Sequence, residues 1–564
     1  MEKLVCLIFV IHFSIVVSWE GPEVTVPFGK IKGTWEDSFE EKRYSAFQGI
    51  PYAKPPISNL RFEESVPIGP WDGTWPAIVS HWCAQIDVTS VIYTGEIKGN
   101  EDCLYLNIFV PGEKINRTRK YDVFVDIHGG AFMIGSASLI NNPQYIMDNM
   151  DEMILVAINY RVGLFGFLST EDDSIPGNNG MKDQVLALKW VKENIEYFGG
   201  NPDSITLSGY SAGGASVHLH TLSPMSRGLF HKAHIGSGSA FSPWVIKEKP
   251  LEFAQKLAAA TGCPTEPSHL LKHCLKTRPA NVLLSVYEQF YGYGQMPFSP
   301  FAVVVEKNGT NPFLSKLPYE LVKEGHMADI PLVFSVVKDE GLYPSGYYCK
   351  EPEKIENIWT DVAHYLLDYN YTLPLEERID VARKIKDLYM GPGAKINEAT
   401  FFNFTKIFSD RDFIVATEEA AKLHAAASKS PVYFYYFNYQ SPNISSSALY
   451  CEEGDIGGIA HASDAINCFG FSLTKYLSKS DKDMKEKCHE LYSAFAKTGV
   501  PVFDANVSWR PTSGDELMYL NITGPDNVKM EKTKSLSHAE FWRKLGLAEN
   551  EKDVFPNTNI RQNL

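Results

Sequence analysis

Apolar positions along the chain fall into two alternating rhythms. Short extended runs stand at 24–27, 30–33, 44–50, 104–110, 123–127, 154–160, 204–207 and 331–337. Those at 123–127 and 154–160 are apolar at nearly every position, the pattern of strands covered on both faces. Over 184–198 the rhythm changes: Val185, Leu186, Leu188, Val191, Ile195 and Phe198 fall largely on one face of a helix, which Gly199-Gly200-Asn201-Pro202 ends. Residues 250–430 are richer in amphipathic helical spacing. Strands alternating with helices predict an α/β architecture, a doubly wound, mostly parallel sheet with helices on both faces. A chain of 564 residues could hold several domains. No linker-like composition, charge run or internal repeat divides it, so we expect a single domain over 19–564, with two domains on an unobtrusive linker as the alternative.

The first 18 residues follow another logic. Lys3 precedes an apolar run from Leu4 to Val17, shorter than the roughly 20 residues a membrane span needs. Small residues at Val16 and Ser18 suit a signal-peptide cleavage after Ser18. A buried first strand would fit the charged start poorly. No later segment reads as a membrane anchor, and Arg561-Gln562-Asn563-Leu564 is not an ER-retention ending. The expectation is a secreted, extracellular protein. Asn-x-Ser/Thr sequons at Asn116, Asn308, Asn370, Asn403, Asn443, Asn506 and Asn521 agree with that route, some of them unused. Of nine cysteines, Cys6 lies in the signal; the remaining eight suit an oxidising compartment and allow roughly a hundred pairings. With 68 acidic against 53 basic residues the formal charge is −15, and no basic stripe offers nucleic acid a surface.

Gly209-Tyr210-Ser211-Ala212-Gly213 follows the run at 204–207. G-x-S-x-G between a strand and a helix is the nucleophile elbow: small flanking residues allow a tight turn that lifts the serine hydroxyl above the sheet. By itself the pentapeptide could equally be a Ser/Gly-rich loop. Upstream, His128-Gly129-Gly130-Ala131-Phe132 directly follows the run at 123–127. Small residues there let backbone N–H groups approach a substrate oxyanion, and losing one such donor costs roughly 3–4 kcal/mol.

These segments, together with Phe47–Pro56 (FQGIPYAKPP), Glu101–Asn107 (EDCLYLN), Asn159-Tyr160-Arg161, Gly177-Asn178-Asn179-Gly180 and Lys182-Asp183-Gln184, resemble the type-B carboxylesterase family, which includes the cholinesterases. The likeness covers nearly the whole mature chain and is greatest to secreted insect carboxylesterases of the esterase-six and aphid resistance-esterase kind. It implies an α/β-hydrolase fold and a triad in the order Ser, acid, His. Lys338-Asp339-Glu340-Gly341 supplies Glu340 as the acid, with Asp339 as its neighbouring competitor. His461, in His461-Ala462-Ser463-Asp464, is the implied base; His218 and His220, just past the elbow, read as packing residues. The implied oxyanion donors are the N–H groups of Gly130, Ala131 and Ala212. Ala131 stands where a third glycine is commoner, which a backbone role tolerates if its φ stays negative. The resemblance also implies disulfides Cys83–Cys103 and Cys263–Cys274, and buried ion pairs Arg61–Glu101 and Arg161–Asp183. Cys349, Cys451, Cys468 and Cys488 remain without assigned partners. No metal or cofactor is implied.

Two other readings compete. A non-catalytic adhesion relative of the family would lack a triad residue and carry a membrane span. A specialised esterase would act on juvenile hormone or a pheromone: juvenile hormone esterases typically have glutamine before the serine, where Tyr210 stands here, while a pheromone or odorant esterase and a detoxifying one differ by pocket shape. The cholinesterase tryptophan for a quaternary ammonium has no counterpart between Cys83 and Cys103: Trp82 falls outside, and Tyr93 is the one aromatic residue in 84–102. Trp244 matches a family position near the acyl pocket, or simply packs in the core. The expected partner is a small neutral ester; the oligomeric state stays open.

Overall fold

The computed structural model describes residues 19–86, 95–138, 142–294, 296–306, 311–452, 454–470 and 477–547. The expected signal segment 1–18, Tyr93 and the Asn308 sequon lie outside the described residues. The largest sheet is built from β1 (Thr34–Asp37), β2 (Arg43–Pro51), β3 (Tyr105–Pro111), β4 (Tyr121–Ile127), β5 (Met153–Ile158), β6 (Gly200–Tyr210), β7 (Lys232–Gly236), β8 (Leu332–Val337), β9 (Val432–Phe437), β10 (Leu517–Gly524) and β11 (Asn527–Thr533). Their spatial order is β11-β10-β9-β8-β7-β6-β4-β5-β3-β2-β1. Pairings from β10 through β5 are parallel, and both flanks are antiparallel. The expected doubly wound, mostly parallel sheet is the one observed.

The apolar runs behave as their composition dictates. Every residue of β5 and β8 is buried. Side chains alternate across the sheet: Val123, Val125 and Ile127 of β4 join one core with Leu188 and Val217. Phe124 joins the opposite core with Leu491, Tyr492 and Phe495. Helices α1 (Asn179–Asn194) and α2 (Ala212–Leu222) therefore cover one face, and α4 (Lys479–Thr498), which follows α3 (Ser463–Phe469), covers the other.

Two boundaries differ from the sequence reading. The helix expected at 184–198 starts at Asn179, because its first turn buries polar residues, including Asp183, that an apolar count passes over. It tightens to a 3₁₀ turn over Ile195–Phe198 and ends at Gly199, with φ 92°. The runs at 24–27 and 30–33 form Glu23–Val26 and Gly29–Lys32 of a separate small sheet with Thr74–Pro76.

Four disulfides join Cys83 to Cys103, Cys263 to Cys274, Cys349 to Cys451 and Cys468 to Cys488. Arg61 clamps the first two loops together. Its guanidinium donates to Glu101 at 2.6 and 2.5 Å, and its Nη1 donates to the carbonyls of Leu275, Lys276 and Arg278. Arg161 donates from Nε and Nη2 to Asp183, each at 2.7 Å, in a fully enclosed fork. Breaking such a pair leaves a buried charge and costs roughly 3–5 kcal/mol. Among the described residues no helix is long and apolar enough to cross a membrane.

Candidate active site

Ser211 sits between the end of β6 and the start of α2 with φ 59° and ψ −126°, a conformation that L-residues rarely hold. Packing over-determines it. Its N–H donates to the Gly236 carbonyl at 2.8 Å, and its own carbonyl accepts from Ala215 at 2.9 Å. A Cβ on Gly213 would lie 2.0 Å from the Ile127 carbonyl oxygen, and one on Gly238 would lie 2.0 Å from that of Ser211. The side chain of Ser211 is half-buried while its neighbours in α2 are buried.

The glycine loop after β4 lies against this elbow: a Cβ on Gly129 would come within 3.1 Å of the Ser211 Cβ. His128 anchors the loop, stacked on Tyr160 at 4.3 Å, with Nδ1 2.8 Å from the Gly129 carbonyl. Burial pushes its pKa down to about 4, so the ring is neutral. Gly130 has φ 107° and Ala131 has φ 55°. The negative φ expected at Ala131 is therefore not met. The loop winds left-handed through Gly130, Ala131 and Phe132, held by the Gly130 carbonyl accepting from Met133 and Ile134 and by Ser299 Oγ donating to the Ala131 carbonyl. Among the described residues the N–H groups of Gly130 and Ala131 enter no hydrogen bond. Ala212 is the first residue of α2, so its N–H has no partner within the helix.

The sheet register brings the candidate acid to the same edge. Tyr210 lies opposite Gly236, and Gly236 lies opposite Ser335 of β8. The β6 and β8 edges are thus about 10 Å apart, a gap that an imidazole between two side chains can bridge. Glu340, in the turn after β8, is fully buried. Its Oε1 accepts from the Val337 N–H at 2.9 Å, and its Oε2 accepts from His461 Nδ1 at 2.5 Å. Asp339 points elsewhere: its Oδ2 accepts from the Ile459 N–H, and its own N–H donates to the Ile459 carbonyl. Burial raises its pKa. His461 Nε2 is buried and hydrogen-bonded to no group among the described residues, so it is available for proton transfer.

Rings fix the imidazole. Phe413 lies 4.5 Å from it and Tyr343 stacks on it at 5.7 Å. Phe413 belongs to a π-helical turn, Ser409–Ile414, whose Asp412 carbonyl accepts from Trp244 Nε1 at 2.9 Å. Trp244 also contacts Phe132 and Phe413, so it wedges the glycine loop against the histidine's neighbour. Below the site, Tyr435 donates to Asp464 Oδ2 at 2.8 Å, and Tyr435 and Tyr492 reach Tyr210, the residue before Ser211. Burial, then the Glu340 charge, pushes Asp464 up to about 6. Sequence reasoning did not single out Phe413, Tyr343 or the tyrosine network, since aromatic residues at helical or strand spacing read as ordinary core. His218 and His220 are buried, the first bonded to His424 at 2.9 Å and the second to Ser226 and Gln184.

The sheet order and the crowding of these groups at its carboxyl edge are those of the α/β-hydrolases. A family model described as the carboxylesterase family matches residues 20–542, and the chain belongs to that family. It is 37% identical to venom carboxylesterase-6 of Apis mellifera over 98% of this chain and 99% of the relative. It is 38% identical to esterase FE4 of Myzus persicae over 92% of each. The crystal structure of juvenile hormone esterase from Manduca sexta, with OTFP covalently attached, superposes with a TM-score of 0.80 at 26% identity, covering 97% of this chain and 100% of that one. The protein is a carboxylic ester hydrolase.

Proposed function

We propose that the protein is a secreted serine carboxylesterase that cleaves small neutral esters through Ser211, His461 and Glu340. The observation that carries this reading is the 2.5 Å bond from His461 Nδ1 to a fully buried Glu340, on the sheet edge where Ser211 is held in its strained turn. Ser211 Oγ attacks the ester carbonyl carbon as its proton passes to His461 Nε2. The tetrahedral oxyanion accepts hydrogen bonds from the Gly130, Ala131 and Ala212 N–H groups. The C–O bond then breaks, and the alcohol leaves with the proton from His461. Water, deprotonated by the same imidazole, hydrolyses the acyl-serine and returns the enzyme. Glu340 orients the ring and stabilises its charged form. A relative with a covalently attached OTFP supports a covalent route.

Secretion is supported by the expected signal segment, by four disulfides and by a relative named as a venom esterase. Sequons at Asn116, Asn403, Asn443 and Asn506 are exposed and Asn370 is half-buried. Asn521 lies inside β10 with Nδ2 donating to Glu531, which disfavours a glycan there. Trp244 is committed to the Asp412 carbonyl and to two rings, so it shapes an apolar wall and offers no free indole face to a cation. Kinetics on naphthyl acetate, naphthyl butyrate, juvenile hormone and acetylcholine test the reading. The neutral naphthyl esters are expected to give kcat/KM far above acetylcholine. Equal efficiency on acetylcholine, with inhibition by quaternary ammonium ions, would refute the substrate class. A preference for the hormone would narrow it to a hormone esterase.

A further inference from the structure

Among the described residues the histidine loop has no strand or helix of its own before α3, yet His461 is enclosed and aligned. Asp339 pairs with Ile459 on one side of the loop, and the segment 446–451 braces the rest. Ser446 Oγ accepts from the Ala460 N–H at 3.0 Å and from Ser463 Oγ at 2.6 Å, so it grips the loop on both sides of His461. Tyr450 donates its hydroxyl to the His461 carbonyl at 3.1 Å. The Tyr450 ring lies 5.3 Å from Tyr343, which itself stacks on the imidazole.

This segment is fastened to the element that carries the acid. Cys451, next to Tyr450, is bonded to Cys349, nine positions beyond Glu340 and across 102 residues of chain. The approach is close: a Cβ on Gly346 would lie 2.8 Å from the Tyr450 Cβ. The covalent bond therefore fastens this segment to the stretch that follows the Glu340 turn, and the hydroxyl fastens it to the His461 backbone.

We propose that Tyr450 and the Cys349–Cys451 bond form a strap that positions His461 against Glu340 and so sets turnover, with little part in substrate binding. Tyr450 is a positioning residue, since its hydroxyl is engaged by the His461 carbonyl. The proposal rests on the reading of His461 as the base, and its test keeps the two apart. A misplacement of about 1 Å at a catalytic group can cost on the order of 100-fold in rate. A loop loosened by one hydrogen bond should lose less than one cut from its anchor.

The experiment measures kcat and KM on naphthyl acetate for Tyr450→Phe, for the double variant Cys349→Ser/Cys451→Ser and for His461→Ala. Rates are expressed per site titrated with an organophosphate, except for His461→Ala, which is scaled to protein concentration. Tyr450→Phe keeps the ring and removes only the donor. It should lower kcat about tenfold with KM changed by no more than about twofold. The double serine variant should lose more, on kcat again. If the double variant is not secreted, Tyr450→Phe alone decides. Full kcat in Tyr450→Phe, or a loss that falls on KM alone, overturns the strap while an inactive His461→Ala leaves the base in place. Activity persisting in His461→Ala would overturn the reading of the base itself.

Discussion

The two halves of the site are held by different means. On the nucleophile side, backbone packs on backbone: glycines at 213 and 238 let main-chain oxygens come within 2.0 Å of where a Cβ would stand, and Ser211 is pinned by main-chain hydrogen bonds at both ends. On the histidine side, one main-chain pair joins Asp339 to Ile459, and the rest of the bracing around His461 comes from side chains, namely Ser446, Tyr450, Tyr343 and Phe413, and from a disulfide between distant segments. Main-chain crowding tolerates almost no substitution and stores strain at Ser211. Side-chain bracing can be loosened one contact at a time, each worth about 1 kcal/mol. The nucleophile side should therefore fail abruptly and the histidine side by degrees, unless the acid itself is touched.

Touching the proposed acid should give the largest effect. Glu340→Gln should lower kcat by orders of magnitude, because the amide cannot stabilise an imidazolium as the carboxylate does. Asp339→Asn, whose carboxylate serves the Ile459 backbone, should stay within about tenfold. Steady-state kinetics on a naphthyl ester decide the ranking, and its reversal would move the acid by one position. Next comes the elbow. Gly238→Ala drives a methyl into the Ser211 carbonyl and should cost about 2–3 kcal/mol of stability, read as a fall in melting temperature with activity lost before unfolding. A variant with unchanged melting temperature and kcat would mean that the elbow is as yielding as the histidine loop.

The last effect is absent at neutral pH and grows only in acid, where the buried histidines and a buried aspartate have opposite signs. Burial holds His128 and His424 down to about 4, His220 and His234 to about 3, and His218 well below its ordinary value. The unfolded chain protonates these rings near 6.5, so their contribution to stability is complete above that pH. It is lost as pH falls toward the folded values, by up to about 1.4 kcal/mol per pH unit for each ring. Asp464, raised to about 6, works the other way: its contribution is present below about 4 and lost as pH rises through 6. Histidines outnumber it, so the melting temperature should fall steadily from pH 6.5 to 4. Thermal melts across that range check this; a flat profile would mean that the buried rings open without global unfolding.

The same difference explains what the sequence could disclose. Sheet class was legible because β4, β5 and β8 are apolar at nearly every position, and crossover connections allow few arrangements of such strands. Crowded main chain leaves glycines in a fixed pattern, and GYSAG and HGGAF are that pattern. Ala131 shows its limit: the residue was visible, but its left-handed φ of 55° was not, because a loop's conformation depends on what Ile134, Ser299 and the elbow do around it. The choice between Glu340 and Asp339 needed the resemblance to a family, since adjacent acids differ by which way a turn points them. Partners for Cys349, Cys451, Cys468 and Cys488 were illegible, because eight thiols carry no connectivity until the chain is folded. Phe413, Tyr343 and Tyr450 escaped for a related reason: side-chain bracing spreads over residues far apart in the chain and leaves no local motif.

If Ser211 is the nucleophile, peptide mapping of the protein after inhibition by an organophosphate should find the label on it. One phosphoryl group per chain is expected, on the peptide containing Ser211, appearing in step with loss of naphthyl acetate hydrolysis and absent in a folded Ser211→Ala variant. A label on any other residue, or a Ser211→Ala variant that turns over ester at near the parent rate, would contradict it.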